Sequence, residues 1–149
     1  MSKFIQLEVD NSVAILRLNE LPINALDETA LHELTNAVDQ IEDHPPIRVV
    51  IIASAINGVF CAGGDLKYWP QLYAGQPDVV SEAGRHTFER IERLTKPSIA
   101  AVEGQVIGDG LSLALACDIR LASQEVTFHL PELPEVSYGF IPGWGTVGW

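Results

Sequence analysis

Two glycine-bearing bends carry the residues of this sequence that are best suited to chemistry. The first is Ala62-Gly63-Gly64-Asp65, and the second is Gly108-Asp109-Gly110. Glycine lets the backbone pass where a side chain would collide, so both bends can bring main-chain N–H groups close to a ligand. An apolar helix is predicted directly after the second bend, over about 110–117, and the first N–H groups of a helix lack partners within it. This arrangement suits a ligand oxygen that is anionic or becomes anionic during a reaction.

Two glutamates near the end of the sequence are the candidate acid and base. They occur in the pairs Pro131-Glu132 and Pro134-Glu135, and His129 precedes them. A carboxylate held beside a reacting carbon can carry a proton. Taken alone, the two pairs are equally consistent with a polar surface turn, and a lone histidine is more often structural than a pocket residue.

Three residues near the bends also have ordinary structural interpretations. Asp109 suits a helix N-cap, in which its side chain accepts a hydrogen bond from the first turn, or it takes part directly in the chemistry. Ser112 lies on an apolar helix and is predicted as a small packing residue, because a nucleophile elbow would place the serine on the turn itself. Nothing adjacent in sequence favours the thiolate of Cys61, so we expect a buried small residue rather than a nucleophile.

Composition restricts the class of protein. The chain has 149 residues, of which 47% are hydrophobic and 19% charged, as expected for one globular domain with a real core. A net charge of −11 argues against nucleic acid as a partner. The sequence has no apolar run of the roughly 18 to 20 residues that a membrane helix needs, and residues 1–4 show no signal-peptide pattern. Cys61 and Cys117 form no metal-ligand spacing, so we expect reduced thiols, no bound metal and a cytoplasmic location.

Strands alternate with helices in the elements that must position the bends. A hairpin is predicted over 3–9 and 12–19, with its turn at Asp10-Asn11. Asp27 can cap a helix that runs to about 43, where Pro45-Pro46 stops it. The remaining elements are a buried strand over 47–53, a polar helix over about 78–95, a buried strand over 98–103, a turn over 104–110, a strand over 119–122 and a short extended piece over 126–128. This order predicts an α/β fold with mostly parallel pairing after the hairpin.

Five segments, in this order and at similar spacing, resemble the enoyl-CoA hydratase/isomerase (crotonase) superfamily. They are Ile23-Asn24-Ala25-Leu26, the run from Phe60 to Leu66, the run from Lys96 to Gly104, the run from Leu115 to Ala122, and Pro134-Glu135 followed by Gly139-Phe140-Ile141-Pro142-Gly143. The resemblance implies a crotonase-like (ClpP/crotonase) β-β-α spiral superhelix as one domain over 1–149. Family members run to about 250 residues. The chain therefore resembles the N-terminal spiral core without the C-terminal helices that mediate trimer contacts, in a family of trimers and hexamers.

The resemblance implies an acyl-coenzyme A thioester as substrate, with no bound cofactor. Two backbone N–H groups, which the resemblance puts at Ala62 and Asp109, would hold the thioester oxygen as it becomes an enolate. The coenzyme A portion would meet the loop around the first bend. Its implied contacts are Ala25, Ala62, Gly63, Asp65, Leu66 and Lys67, with Lys67 near a phosphate. The residues that follow are expected to line either the core or an acyl tunnel: Tyr68, Trp69, Leu72 and Tyr73.

The departures from the family pattern bear on the reaction. Ser112 occupies the position where hydratases carry their first catalytic glutamate. The second falls on Glu135 when counted back from Gly139, or on Glu132 when counted forward from Phe128, and the spacing to Gly139 favours Glu135. With one carboxylate instead of two, addition of water loses half of its acid/base pair, so an isomerase- or decarboxylase-like reaction is favoured. Asp109 stands where glycine or alanine is usual, and its carboxylate could act in the chemistry or repel an enolate.

Two other functions remain open from the sequence. One is a serine hydrolase on the same fold, with Ser112 as nucleophile and His129 as base. The other is a non-catalytic or truncated crotonase-fold module.

Overall fold

A computed structural model describes residues 4–65, 67 and 79–130. Within these residues the chain forms ten strands and three helices. In chain order they are β1 (Ile5–Asp10), β2 (Val13–Leu18), β3 (Ala25–Leu26), α1 (Glu28–Glu42), β4 (Val49–Ser54), β5 (Val59–Cys61), β6 (Gly63–Gly64), α2 (Val79–Glu92), β7 (Ser98–Val102), β8 (Gln105–Ile107), α3 (Asp109–Leu115), β9 (Ile119–Ala122) and β10 (Thr127–His129). Within the same residues no helix is both long and apolar enough to span a membrane.

The main sheet has five strands in the order β1-β2-β4-β7-β9. The first pair is antiparallel, and every later pair is parallel, which confirms the predicted pairing. Ile15, Ile51 and Ile99 lie side by side across three neighbouring strands. The alternate residues of these strands face the core, which α1 and α2 cover.

A second sheet of three strands, β10-β8-β5, receives the chain after each of its last three passes through the main sheet. The chain runs from β4 to β5, from β7 to β8 and from β9 to β10, so three corners stack on one another. At these corners the amide of Gln105 donates to the Gly58 carbonyl at 3.0 Å, and the amide of Thr127 donates to the Gly104 carbonyl at 3.0 Å. This repeated path from strand to strand to helix is the spiral that the family resemblance implies.

The helix α1 follows the predicted start and stop signals. The Asp27 side chain accepts a hydrogen bond from the Ala30 amide at 2.7 Å, which confirms the N-cap. At the other end the ammonium group of Lys96 donates to the carbonyls of Ile41, Glu42 and His44. A cation at a helix C-terminus satisfies carbonyls that have no partner within the helix.

The structure differs from the prediction in the short elements. The segment predicted as a turn over 104–110 contains the strand β8, and β3, β5 and β6 were not predicted. Strands of two or three residues are too short to show alternation, so only their pairing with distant segments defines them. The helix α3 also begins and ends earlier than predicted, at Asp109 and Leu115.

Candidate active site

The two glycine bends converge on one point of the structure. A Cβ atom added to Gly63 would lie 2.7 Å from the carbonyl oxygen of Ile107 and 3.2 Å from the amide nitrogen of Asp109. Gly63 also has a φ of 83°, a conformation that disfavours residues with a side chain. The first bend therefore packs against the start of α3 at backbone-to-backbone distance.

A second glycine contact fixes α3 from the other side. A Cβ atom added to Gly110 would lie 2.4 Å from the carbonyl oxygen of Cys61. Any larger residue at this position would push α3 away from β5. We refer to Cys61, Gly63, Gly64, Asp109 and Gly110 as the bend junction.

The amide of Ala62 is already used in holding the first bend. It donates to the carbonyl of Ile23 at 3.1 Å, and the amide of Asp65 donates to the carbonyl of Leu26 at 2.9 Å. These two amides lie three residues apart and both point toward β3, so the regular alternation of an extended strand is interrupted within the first bend.

Asp109 is the first residue of α3 and not its N-cap. The N-cap is Gly108, which makes no side-chain cap hydrogen bond, so the predicted N-cap role of Asp109 is wrong. The carboxylate instead reaches the first bend, because its Oδ2 atom lies 3.5 Å from the position of a Cβ on Gly64. The Oδ1 atom of the same carboxylate is buried. A charged group therefore lies between the two bends.

Cys61 is a buried, neutral thiol beside that carboxylate. Its Sγ atom donates to the Asn24 carbonyl at 3.2 Å and accepts from the Gly63 amide at 3.4 Å. Burial raises the pKa of the Cys61 thiol to about 12, the Gly63 hydrogen bond opposes that rise, and the negative charge of Asp109 adds to it. The prediction of a buried small residue is confirmed.

Ser112 lies one turn along α3 from Asp109. Its residue exposure is 0%, which confirms the prediction of a buried residue on this helix. Its hydroxyl, however, has no hydrogen-bond partner within the described part of the chain. A buried hydroxyl without a partner is unusual in a folded protein.

Asn24 is a site-forming residue whose role sequence reasoning missed. It is fully buried, with a φ of 53°. Its side-chain amide donates to the Ser54 hydroxyl at 2.8 Å and to the Phe60 carbonyl at 3.0 Å. Its side-chain oxygen accepts from the Glu20 amide at 2.8 Å. Asn24 thus joins the loop before β3 to the strand that leads into the first bend. The motif Ile23-Asn24-Ala25-Leu26 was visible, but its distant partners were not.

The other candidate residues fall in three groups. Ala25 pairs with Gly63, so this predicted binding residue does border the bend junction. Lys67 is exposed, and its ammonium nitrogen lies 3.5 Å from Oδ2 of Asp65. Several predicted residues lie outside the described ones: Leu66, Glu132, Glu135, Tyr68, Trp69, Leu72 and Tyr73.

The structure does not support a serine hydrolase. His129 is exposed, and its carbonyl accepts a hydrogen bond from the Gly108 amide at 2.9 Å. No hydrogen bond joins it to the buried Ser112 hydroxyl. A nucleophile with a base needs the two groups within hydrogen-bond reach.

Comparison with known proteins bears on what this site does. A family model described as enoyl-CoA hydratase/isomerase matches residues 8–149. A protein of Bacillus subtilis named as a probable enoyl-CoA hydratase is 40% identical over 140 residues, covering 93% of this chain and 53% of its own length. A crotonyl-CoA hydratase of Syntrophomonas wolfei is 35% identical over 142 residues, covering 95% of this chain and 54% of its own.

The solved structures agree with the sequence comparisons. The enoyl-CoA hydratase of Bacillus anthracis superposes with a TM-score of 0.83 at 34% identity, over 94% of this chain and 54% of that one. The predicted crotonase-like α/β spiral is thereby confirmed. The chain spans about half the length of the curated relatives it matches.

Proposed function

This chain belongs to the enoyl-CoA hydratase/isomerase family, and we propose that it processes an acyl-CoA thioester by stabilising the enolate of that thioester at the bend junction. One observation carries the proposal: a Cβ placed on Gly63 would lie 2.7 Å from the Ile107 carbonyl oxygen and 3.2 Å from the Asp109 amide nitrogen, so the first bend packs directly against the start of α3. Two backbone segments that are distant in sequence thus present their main chains to one point. The relatives' names supply the substrate class.

The proposed donors to the enolate oxygen are the amides of Gly64 and Asp109. The family resemblance implies Ala62 as the first donor, but the amide of Ala62 donates a hydrogen bond to the Ile23 carbonyl. Gly64 is proposed because it borders Asp109: a Cβ placed on Gly64 would lie 3.5 Å from the Oδ2 atom of Asp109. Fixed N–H dipoles stabilise charge that appears only in the transition state, and each such donor contributes about 3 to 4 kcal/mol.

We propose Glu135 as the group that moves the proton, with Glu132 as the alternative. With a single carboxylate, the enzyme can remove a proton from one carbon and return it to another, as an isomerase does. A decarboxylase needs only to protonate the enolate after the loss of CO₂. Addition of water demands a further group that takes the water proton. The reaction therefore depends on whether a second group exists in the site.

The proposed coenzyme A contacts surround the same bend. Ala25, Gly63 and Asp65 lie on the paired strands β3 and β6 or directly after them. Lys67 carries an exposed ammonium group, in a chain whose net charge is −11. Such a cation is where a phosphate of coenzyme A would be stabilised. Leu66 completes the set.

The test of the proton role replaces Glu135 by Gln. We expect turnover of an enoyl-CoA ester to fall at least about 100-fold while its dissociation constant, measured by calorimetry, changes little. The matched control is Glu132→Gln, which should retain turnover. If E132Q loses activity and E135Q does not, the roles are exchanged; if neither does, both are removed from the mechanism.

The test of the donors uses an ester labelled with ¹³C at the thioester carbonyl. Two amides that bind the oxygen polarise the carbonyl, so its resonance should move downfield on binding. An unshifted resonance for the bound ester would show that no such donors act. Absence of any acyl-CoA binding in a folded sample would instead indicate a non-catalytic module of the same fold.

A further inference from the structure

We propose that Asp109 and Ser112 hold a water molecule between them, and that Asp109 uses this water to hydrate an enoyl thioester. The substrate class rests on the proposed function. The new element is the water-holding pair, in which Asp109 both takes the proton of the added water and returns it to carbon, a reaction separate from the proton transfer proposed for Glu135.

The helix α3 places the two residues on one face. Residues three apart on a helix lie on the same face, and Asp109 and Ser112 have this spacing. Asp109 stands at the end of α3 that meets the first bend, and its carboxylate reaches Gly64. Ser112 lies one turn deeper and has 0% exposure. The pair therefore runs from the bend junction into the interior.

The Ser112 hydroxyl is buried, and no hydrogen-bond partner for it lies in the described part of the chain. A helical serine usually donates to the carbonyl four residues before it, which is that of Gly108. Here the Gly108 carbonyl already accepts from the amides of Leu111 at 2.9 Å and Ser112 at 3.3 Å. The hydroxyl itself has no partner within the described residues. Leaving a buried hydroxyl unpaired costs about 1 to 3 kcal/mol.

Ordered water is the usual partner of such a group. A buried water molecule forms two to four hydrogen bonds, so its site must offer several polar atoms. Asp109 provides carboxylate oxygens on the same helix face, one of them buried. The neighbouring thiol of Cys61 is neutral, because burial raises its pKa to about 12. A water bound by Ser112 would therefore give its proton to Asp109 and not to Cys61.

The hydration step balances with these groups alone. The water oxygen forms a bond to C3 of the enoyl thioester as its proton passes to the Asp109 carboxylate. The π electrons move onto the thioester oxygen, which the amides of Gly64 and Asp109 hold. The enolate then takes the proton from Asp109 at C2, and the carboxylate is restored. The net change is addition of one water across the double bond.

A crystal structure of the full chain at a resolution that orders water tests the pair without any turnover. We expect a water within about 3 Å of both the Ser112 hydroxyl and an Asp109 carboxylate oxygen. In Ser112→Ala that water should be lost while α3 keeps its position. A Ser112 hydroxyl bonded to the Gly108 carbonyl, with no water beside it, would overturn the proposal.

Kinetics with crotonyl-CoA tests the chemical role. Asp109→Asn should slow hydration about 100-fold or more, since it removes the base but keeps the size. Asp109→Gly should do the same, since it keeps the amide. Ser112→Ala should slow it about tenfold, the worth of one hydrogen bond. Because both residues act through one water, the double variant should be no slower than Asp109→Asn.

The controls are Asp10→Asn at the hairpin turn and Ser123→Ala, both exposed and both expected to keep wild-type rates. Effects that multiply in the double variant, or a faster Asp109→Gly enzyme, would show that Asp109 obstructs the site and would overturn the proposal. If the wild-type protein binds crotonyl-CoA without hydrating it while the water is present, the hydration step is wrong and the water site stands. No binding at all would refute the proposed function instead.

Discussion

The stacked corner and the bend junction both depend on a glycine that lets two backbone segments pack in contact, but their polar groups are paired differently. We define the stacked corner as Gly58, Gly104 and residues 123–125. In both regions a glycine allows two backbones to touch: a Cβ on Gly104 would lie 2.1 Å from the Gly58 backbone, and a Cβ on Gly110 would lie 2.4 Å from the Cys61 carbonyl. Both regions also connect the main sheet to short strands of the second sheet.

The regions differ in how their polar groups are satisfied. At the stacked corner the carbonyls of Gly58, Val102 and Gly104 each accept a backbone hydrogen bond of 3.0 Å. At the bend junction a carboxylate is held between the two bends, and the hydroxyl of Ser112 behind it has no partner within the described residues. The polar groups of the stacked corner are thus paired within the backbone, whereas the bend junction contains polar side chains that the backbone pairing does not use.

The largest effect should come from Gly104→Ala. The added Cβ would overlap the Gly58 backbone, and Gly104 has a φ of 71°, so steric overlap and backbone strain act together. We expect a loss of about 4 kcal/mol in the free energy of unfolding, measured by urea denaturation. Gly58→Ala is the matched control, because its φ is 77° but nothing lies within 4 Å of its Cβ. Equal losses in the two variants would contradict the overlap.

Gly110→Ala should lower the free energy of unfolding less than Gly104→Ala does, but it should lower turnover. Its Cβ meets the Cys61 carbonyl at 2.4 Å, so α3 must move, and we expect a loss of about 2 to 3 kcal/mol. The displaced Asp109 amide should lower turnover about 100-fold. Gly64→Ala tests the stability part, because its Cβ has ordinary contact with Asp109 at 3.5 Å and should leave the unfolding free energy nearly unchanged. Wild-type turnover in Gly110→Ala would show that the position of α3 at the bend junction does not matter for catalysis.

Much of this comparison could not have been read from the sequence. The long strands, the parallel pairing and the α1 cap at Asp27 were predicted because their signals are local: continuous apolar runs and an aspartate before a helix. The partner of the Ala62 amide was not local. Ala62 was predicted as a donor to the ligand, and its amide bonds to the Ile23 carbonyl, a partner that depends on how the segments around β3 and β6 pair.

The same reason explains the missed role of Asn24. Its hydrogen-bond partners, Ser54 and Phe60, lie 30 and 36 residues away along the chain. A sequence motif shows that an asparagine is present but not which segments it joins. The glycines were easier to interpret, because a close backbone approach leaves glycine as the only residue that fits.

The dependence of stability on alkaline pH also distinguishes the two regions, because the bend junction contains the thiol of Cys61 and the stacked corner contains no thiol. Burial raises the pKa of Cys61 and of Cys117 to about 12, from a value of 9.0 in the unfolded chain. Between these values the unfolded thiols lose protons and the folded ones keep them. Stability is therefore fully present below pH 9 and falls toward pH 12, by about 1.4 kcal/mol per pH unit for each thiol.

Urea denaturation at a series of pH values measures this slope. The double variant Cys61→Ala/Cys117→Ala should lose the thiol part of the slope, although its stability at neutral pH is lower. An unchanged slope would mean that the thiols do not titrate with unfolding. Cys61→Ala alone should remove about half of the thiol part, which assigns that share to the junction.

The smallest effect on stability should come from Lys67→Ala. This variant tests whether a positive charge beside the first bend contributes to ligand binding. Lys67 is exposed beside Asp65, and a surface ion pair contributes little, so the urea midpoint should not move. If its ammonium group meets a coenzyme A phosphate, however, the dissociation constant should rise several-fold, and added salt should reduce the difference because it screens exposed charges. Glu103→Gln, at the neighbour of Gly104, changes the net charge by the same amount in the opposite direction, and it should leave binding unchanged. If Glu103→Gln strengthens binding as much as Lys67→Ala weakens it, then binding depends only on the net charge of the chain. Lys67 would then make no specific contact with a phosphate of coenzyme A.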